Sequence, residues 1–255
     1  MTYTGKAAIR LVDVKKTFDG KEYVVNGMNL EIPKGSLTAI IGFSGTGKSV
    51  ILKHILGLYK PTSGLVEVLG KNIVDMNADE LTKFRRNFGV LFQGAALFDD
   101  MTVLENVCFP LVEHRKELTE SQMIEIATKK LKQVGLDPKH FEKLPSQISG
   151  GMQKRTGLAR ALALDPEILF YDEPTTGLDP ILTEMVDNLI LETHKHREGI
   201  TSVMVSHDLD AAFRIADYVA MLDAGKVLLF GKPEVFFNTD IELVKRFVAK
   251  GMKRQ

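Results

Sequence analysis

The sequence predicts an α/β fold: a parallel β-sheet core interrupted by a helical insertion. Three observations carry this. "LTAII" at residues 37–41 is a continuous apolar run closed by Gly42, the signature of a strand buried on both faces. Two further buried strands, "EILFYDE" and "ITSVMVS", return late in the chain with a helix start between them. Residues from about 94 to 164 read instead as helices. Strand-rich, then helix-rich, then alternating is the order of an α/β core with an insertion.

The elements follow in chain order. "AIRLVDV" and "YVVNGMNLEI" are short β-like runs ahead of "LTAII". A helix is predicted from about Lys48 to Leu58, and "GLVEVLG" is another strand. Asn77 with Glu80 three positions on forms a capping-box helix start, because each side chain can satisfy a backbone N–H of the other residue. "FGVLF" is a buried strand leading into Gln93. Thr119 and Gln122 form a second capping box; Met123, Ala127, Leu131 and Val134 then recur at helical spacing until Gly135. "SGGMQKRTGLARALAL" is a helix with Ser149 near its start. Asp179-Pro180 supplies an N-cap and first helical residue.

Length and composition bound the function. The chain has 255 residues, enough for one large domain with a substantial core. Thirty-three basic and 33 acidic residues cancel, so no bulk attraction to nucleic acid is indicated. The single cysteine, Cys108, excludes a disulfide within the chain and suits a reducing compartment. "MTYTGKAAIR" has no apolar core of a signal peptide, and no apolar run approaches the roughly 20 residues that span a bilayer. The expectation is a protein soluble by itself, reaching a membrane only through a partner.

Four motifs carry chemistry. "GFSGTGKSV" at 42–50 fits G-x-x-x-x-G-K-[ST] between a buried strand and a helix. Glycines let the backbone wrap a phosphate, and consecutive N–H groups at a helix N-terminus favour anionic oxygens. Lys48 would reach the β- and γ-phosphates, and Ser49 would ligate Mg²⁺. A plain Gly-rich turn also fits the pattern but leaves Lys48 unexplained. "ILFYDEP" puts two carboxylates at the C-terminal end of a buried strand, where α/β sheets bind ligands. Asp172 would hold Mg²⁺ or its water, and Glu173 would be the general base for water attacking the γ-phosphate; solvated acids capping a strand end are the structural alternative. "ISGGMQKR" offers a second anion cradle, which one chain does not need on one nucleotide but two chains facing head to tail do. A helix cap with flexible glycines is the simpler reading of that motif alone. His207, in "SHD" after "ITSVMV", stands at a further strand end, able to contact a γ-phosphate.

In this order the motifs resemble the ATP-binding cassette (ABC) ATPases over nearly the whole chain. The resemblance implies a P-loop NTPase fold, with a RecA-like core, an antiparallel β subdomain and a helical insertion. It implies a single domain over 9–248: core about 9–92 and 165–230, helical subdomain about 94–164, C-terminal helices about 232–250. Walker A matches 42–49, giving Gly42, Ser44, Gly45, Thr46, Gly47, Lys48, Ser49 and the adjoining Val50 as nucleotide contacts. The Q-loop matches Gln93, which senses the Mg²⁺ and γ-phosphate site. The signature matches Ser149, Gly150 and Gly151; Walker B matches 168–172 with Glu173 as base; the D-loop matches 177–179, ending on Asp179; the switch histidine matches His207. ATP and Mg²⁺ are the implied ligands, sandwiched between two cassettes of a homodimer. Ile148 and Met152 depart from the family's usual leucine and glutamine, the second putting a polar contact near the sugar in doubt. Adenine stacks in the family on an aromatic ahead of the loop: Phe18 is the best match and Tyr23 a neighbour, although either also suits a core.

"LFQGAALFDDMTV" at 91–103 narrows the resemblance. Family members dock a short cytoplasmic helix of a transmembrane partner in a groove beside the Q-loop. Ala95 to Val103 would face that partner, with Leu97, Phe98 and Met101 as apolar anchors; Leu97 and Phe98 suit the insertion's core as well. With "SGGMQKR" and "EPTTGLDP", the stretch looks like the Mla-type, MCE-associated subgroup, whose ATPases drive phospholipid movement between envelope membranes. Implied partners are an integral permease dimer, an MCE-domain lipid-binding protein and, in some systems, a small regulatory subunit. The implied place is the cytoplasmic face of the inner membrane. Transport of another substrate, or a soluble ABC ATPase such as an Fe–S assembly type, is the alternative. "VKRFVAKGMKRQ" holds five basic residues that suit either a solvated helix end or contact with anionic headgroups or a second protomer.

Overall fold

The computed structural model describes residues 6–197 and 199–251. The elements run β1 (Ala7–Thr17), β2 (Tyr23–Pro33), β3 (Leu37–Gly42), α1 (Lys48–Ile55), β4 (Ser63–Val68), β5 (Lys71–Asn72), α2 (Ala78–Phe84) and β6 (Phe88–Leu91). Then come α3 (Val103–His114), α4 (Glu120–Gln133), α5 (Gly150–Ala161), β7 (Ile168–Asp172) and α6 (Pro180–His196). The chain closes with β8 (Thr201–Val205), α7 (Leu209–Ile215), β9 (Tyr218–Asp223), β10 (Lys226–Gly231), α8 (Pro233–Phe237) and α9 (Glu242–Gly251). Two compact units result: Met1–Arg85 with Gly199–Gln255, and Arg86–Glu198.

The first unit holds an antiparallel sheet in the order β2-β1-β4-β5. Leu11 pairs with Leu30 and Val66, and Ile9 with Ile32 and Val68, so one apolar face is continuous across three strands and all these residues are buried. The same unit sets β3 between parallel neighbours: Ala39 lies opposite Met204 of β8 and Val219 of β9, with β10 antiparallel on the outer side of β9. Every residue of β3 is buried. A strand covered on both faces has no solvent side, which is why "LTAII" is apolar without alternation. Helix α1 ends at Ile55, three residues before the sequence expectation. Gly57, with φ 67°, donates to His54 O, and Leu58 donates to Lys53 O. That pair of bonds is a Schellman stop, which turns the chain before Leu58 can join the helix.

In the second unit β6 and β7 are parallel, with Leu91 opposite Tyr171. Helices α3, α4 and α5 pack on one another, and Val107, Leu111, Ala127, Leu131 and Leu158 on them are buried. Both capping boxes read from the sequence form, Asn77 with Glu80 and Thr119 with Gln122. A third, Thr102 with Glu105, starts α3, which lies in the stretch read as helical and contains Pro110. No helix among the described residues is long and apolar enough to cross a membrane. The last four residues of the basic C-terminal segment, 252–255, lie outside the described residues.

Candidate active site

In the first unit the phosphate-loop motif forms at the C-terminal end of β3. Gly42 has φ 150°, and a Cβ there would stand 2.5 Å from Leu222 O and 2.9 Å from Thr46 Oγ1. No side chain fits, which is the physical reason for the first glycine. The Thr46 hydroxyl donates to Phe43 O at 2.8 Å, closing the loop on itself. Gly47 occupies the N-cap of α1 with φ 97°, and the first helical turn contains no acid. The positive end of the helix is thus left for an anion. Lys48 is buried, and its ammonium donates to Gly42 O at 2.9 Å and Phe43 O at 3.1 Å. Ser44, Gly45 and Ser49 are exposed, and Val50 is half-buried.

Two other predicted residues lie in this unit. Ser206 N donates to Ile40 O at 3.1 Å, so His207 emerges, exposed, beside the strand that carries the phosphate loop. Phe18 projects from a turn in which the Asp19 carboxyl is held below its usual range by the N–H groups of Lys21 and Glu22. Its ring is 59% exposed, edge-on to Tyr59 at 5.5 Å, with the Lys16 ammonium 5.0 Å from its centroid. Tyr23 is 46% exposed. A core role is thereby excluded for both rings.

The second unit collects the remaining residues. Asp172 and Glu173 stand half-buried at the end of β7. Glu173 has φ 49°, and its carboxylate accepts the Thr176 hydroxyl at 3.0 Å. Gln93 follows β6 with its side chain exposed, while its backbone carbonyl accepts the Lys154 ammonium. Ser149 caps α5, its Oγ accepting from Met152 N at 3.3 Å; Ser149 and Gly150 are exposed. Gly151 is buried, and a Cβ there would meet Met185 Cε at 2.5 Å. Asp179 caps α6, its Oδ1 accepting from Ile181 N and Leu182 N at 3.0 Å each.

The segment after Gln93 is held by residues that the sequence reading missed. Arg160 donates to Ala95 O and Ala96 O at 2.7 Å each. Burial lowers the pKa values of both Lys154 and Arg160. Buried Asn106 accepts from Phe98 N at 2.9 Å and donates to Phe98 O, Met101 O and Thr102 O. For Lys154 and Arg160 the sequence signal was cations in a helix that buries one face, which need carbonyls but do not say which. The partner-facing expectation for 95–103 needs correction at both ends: Ala95 is 1% exposed and Val103 fully buried. Ala95 packs where Gly157 leaves room, since a Cβ on Gly157 would lie 3.1 Å from Ala95 Cβ. Leu97 is half-buried, and Phe98, 38% exposed, tilts against Phe109 at 4.6 Å. Beside this segment a groove of about 560 Å³ has an apolar floor including Leu104, Phe109, Val112 and Ile124. Glu105, Glu113, Glu120 and Glu142 also line it, with no Lys or Arg among the lining residues. Cys108 sits in it, its thiol pushed up to about 11 by burial and the nearby Glu105 and Glu120.

Residues 25–176 match the family model described as ABC transporter. The chain belongs to that family. It is 41% identical over 243 residues to a probable ribonucleotide transport ATP-binding protein mkl of Mycobacterium leprae, covering 94% of this chain and 68% of that one. It is 39% identical to the methionine import ATP-binding protein MetN of Bacillus subtilis, over 94% of this chain and 70% of MetN. It is also 39% identical to the intermembrane phospholipid transport system ATP-binding protein MlaF of Haemophilus influenzae, over 92% of this chain and 89% of MlaF. Among solved structures, a dimeric post-hydrolysis state of the ATP-binding cassette MJ0796 bound to ADP and Pi superposes with a TM-score of 0.79 at 35% identity, covering 88% of this chain and 98% of that one. The fold is thus that of the P-loop NTPase ABC cassettes.

The residues expected to hold Mg²⁺ carry the donor type that this cation takes. The Ser49 hydroxyl, the Gln93 amide oxygen and the Asp172 carboxylate are hard oxygen ligands. Among the described residues no cluster of three or more His, Cys, Asp or Glu could hold a metal by itself. Beside nucleotides, Mg²⁺ usually leans on phosphate oxygens and water.

Proposed function

We propose that this chain is the ATP-hydrolysing subunit of an ABC transporter that moves phospholipids between membranes of the cell envelope. It works as a homodimer under an integral permease dimer, on the cytoplasmic face of the inner membrane. An MCE-domain lipid-binding protein belongs to the same assembly, and a small regulatory subunit is a further candidate member. The likeness to MlaF carries the substrate class. The chain acts as one ABC domain over 9–248, with the core, helical subdomain and C-terminal helices divided as the family resemblance implies.

The chemistry is assigned residue by residue. The loop from Gly42 to Val50 cradles the phosphates through its N–H groups, Lys48 neutralises β- and γ-oxygens, and Phe18 stacks on adenine. Glu173 takes the proton from water attacking the γ-phosphate, and His207 and Gln93 orient that end of the nucleotide. Ser49, Gln93 and Asp172 hold Mg²⁺ or its waters, and Mg²⁺ when bound offsets phosphate charge. Ser149, Gly150, Gly151 and Asp179 act across the dimer on the partner's nucleotide. The groove lined by Leu104, Phe109 and Ile124 receives a short permease helix.

A second reading, transport of a ribonucleotide or methionine, is favoured by the Mycobacterium leprae and Bacillus subtilis relatives. Detergent extraction with a tag on this chain decides between them. Co-purified permease and MCE proteins with bound phospholipid support the lipid reading. A solute-binding protein in their place, with ATPase stimulated by methionine or a ribonucleotide, replaces it.

A further inference from the structure

The residue after the first glycine of the phosphate loop is an aromatic, Phe43, and it joins two things. Its carbonyl accepts from the Thr46 hydroxyl at 2.8 Å, from Thr46 N at 3.4 Å and from the Lys48 ammonium at 3.1 Å. Its ring is 43% exposed toward solvent and otherwise meets Phe247 of α9, edge to face, with centroids 4.6 Å apart and planes at 71°. An offset or T-shaped pair of this kind is the favoured arrangement of two aromatic quadrupoles.

Phe247 is a fixed post. It lies between Val244, fully buried, and Val248, 7% exposed, which pin α9 onto the first unit. Helices α7 and α8 pack against α9. They are clamped to each other by Phe213 against Phe236 and Phe237, at 5.5 and 5.1 Å. Holding the Phe43 ring restricts that residue's backbone, and that backbone bears the carbonyl which orients Lys48. A loop already ordered loses less freedom when phosphate binds.

We propose that Phe247 is a positioning residue for nucleotide binding, and that α9 is a strut which sets the affinity of the phosphate loop through Phe43 and Lys48. This rests on the reading of 42–50 as an ATP site. It makes the C-terminal helix a control point: whatever lifts α9 loosens the loop. An aromatic pair of this geometry corresponds to about a twofold to tenfold change in an equilibrium constant.

The test is a double-mutant cycle on the full chain, reading the Kd for ATP by calorimetry and folding by thermal melting. Phe43→Ala and Phe247→Ala should each weaken ATP binding by roughly twofold to tenfold, and the double variant should be no weaker than the weaker single. Phe247→Tyr, which keeps the ring, should bind like wild type. Wild-type affinity in folded Phe247→Ala, or effects that multiply in the double variant, would overturn the strut. If Phe247→Ala does not fold, Phe247→Leu keeps the apolar packing of α9 without the ring, and an unchanged Kd there overturns it equally. Wild type that fails to bind ATP sinks the nucleotide reading itself, a result distinct from a strut that fails while wild type binds.

Discussion

Glu173 combines a left-handed backbone, φ 49°, with a carboxylate held by Thr176 at the end of a buried strand. A non-glycine residue there is strained by about 1–3 kcal/mol, and such strain persists where the surroundings over-determine the geometry. Glu173→Gln keeps size and backbone and removes the carboxylate proposed as the base. ATP binding should persist while turnover falls by roughly 10²–10⁴-fold, with a closed ATP-bound dimer accumulating. Near wild-type hydrolysis in the assembled transporter would remove Glu173 from the chemistry. Arg160 tests the neighbouring segment. Its guanidinium satisfies the carbonyls of Ala95 and Ala96, which themselves have φ of 60° and 48°. Arg160→Met leaves both carbonyls without that donor and should cost about 1–3 kcal/mol in urea unfolding, with loss of hydrolysis. An unchanged midpoint would mean that the segment is held by other contacts.

Helix α1 shows how an element couples to pH. His54 is 1% exposed, with Nδ1 2.6 Å from Val50 O. Burial is the main cause lowering its pKa below 6.5 in the fold, with Lys16 adding to it and the Val50 contact opposing. A depressed histidine pKa means that the unfolded chain binds the proton more readily. Stability is therefore fully present above about pH 6.5 and falls as pH drops below it. Unfolding free energy should decline between pH 7.5 and 5.5, and His54→Gln should flatten that slope; an identical slope in the variant would place the titration elsewhere. Helix α3 depends on a different buried polar group. The Asn106 amide bonds four backbone groups between Phe98 and Thr102. Asn106→Leu should destabilise the fold by about 3 kcal/mol. A loss below about 1 kcal/mol would show that the turn holds itself.

At the scale of the whole molecule, two predictions concern assembly. Lys48→Ala and Ser149→Arg chains should each be inactive as homodimers. Mixed, they should recover ATPase, because both lesions can fall in one composite site and leave the other complete. Normal ATP-dependent dimerisation of Ser149→Arg alone would exclude a role across the interface. Leu97 is half-buried in the segment expected to face the permease, so Leu97→Asp should release the chain from the permease by burying an unpaired charge, while the isolated chain still melts cooperatively and binds ATP. Unfolding of the isolated variant would assign Leu97 to the core, and normal co-purification would move the docking contact elsewhere on the groove.

What the sequence determined by itself is what depends on residue type at short range. Gly42, Gly47 and Lys48 announce the phosphate loop because only those types allow that turn and its charge. The caps at Asn77, Thr119, Ser149 and Asp179 were legible because an N-cap bond spans two or three residues. The cap at Thr102 is equally local, and its bond to Glu105 N spans three residues like the others. Tertiary structure decided what depends on partners far along the chain. Ala95 and Ala96 read as small residues open to a partner, yet Ala95 is buried and both carbonyls are taken by Arg160, 64 and 65 positions away. Phe43 and Phe247 lie 204 positions apart, and nothing in either neighbourhood announces the other. Side chains that bond backbone carbonyls or pack ring on ring carry no record of their partner's position. Only the folded chain, by bringing those positions together, selects one.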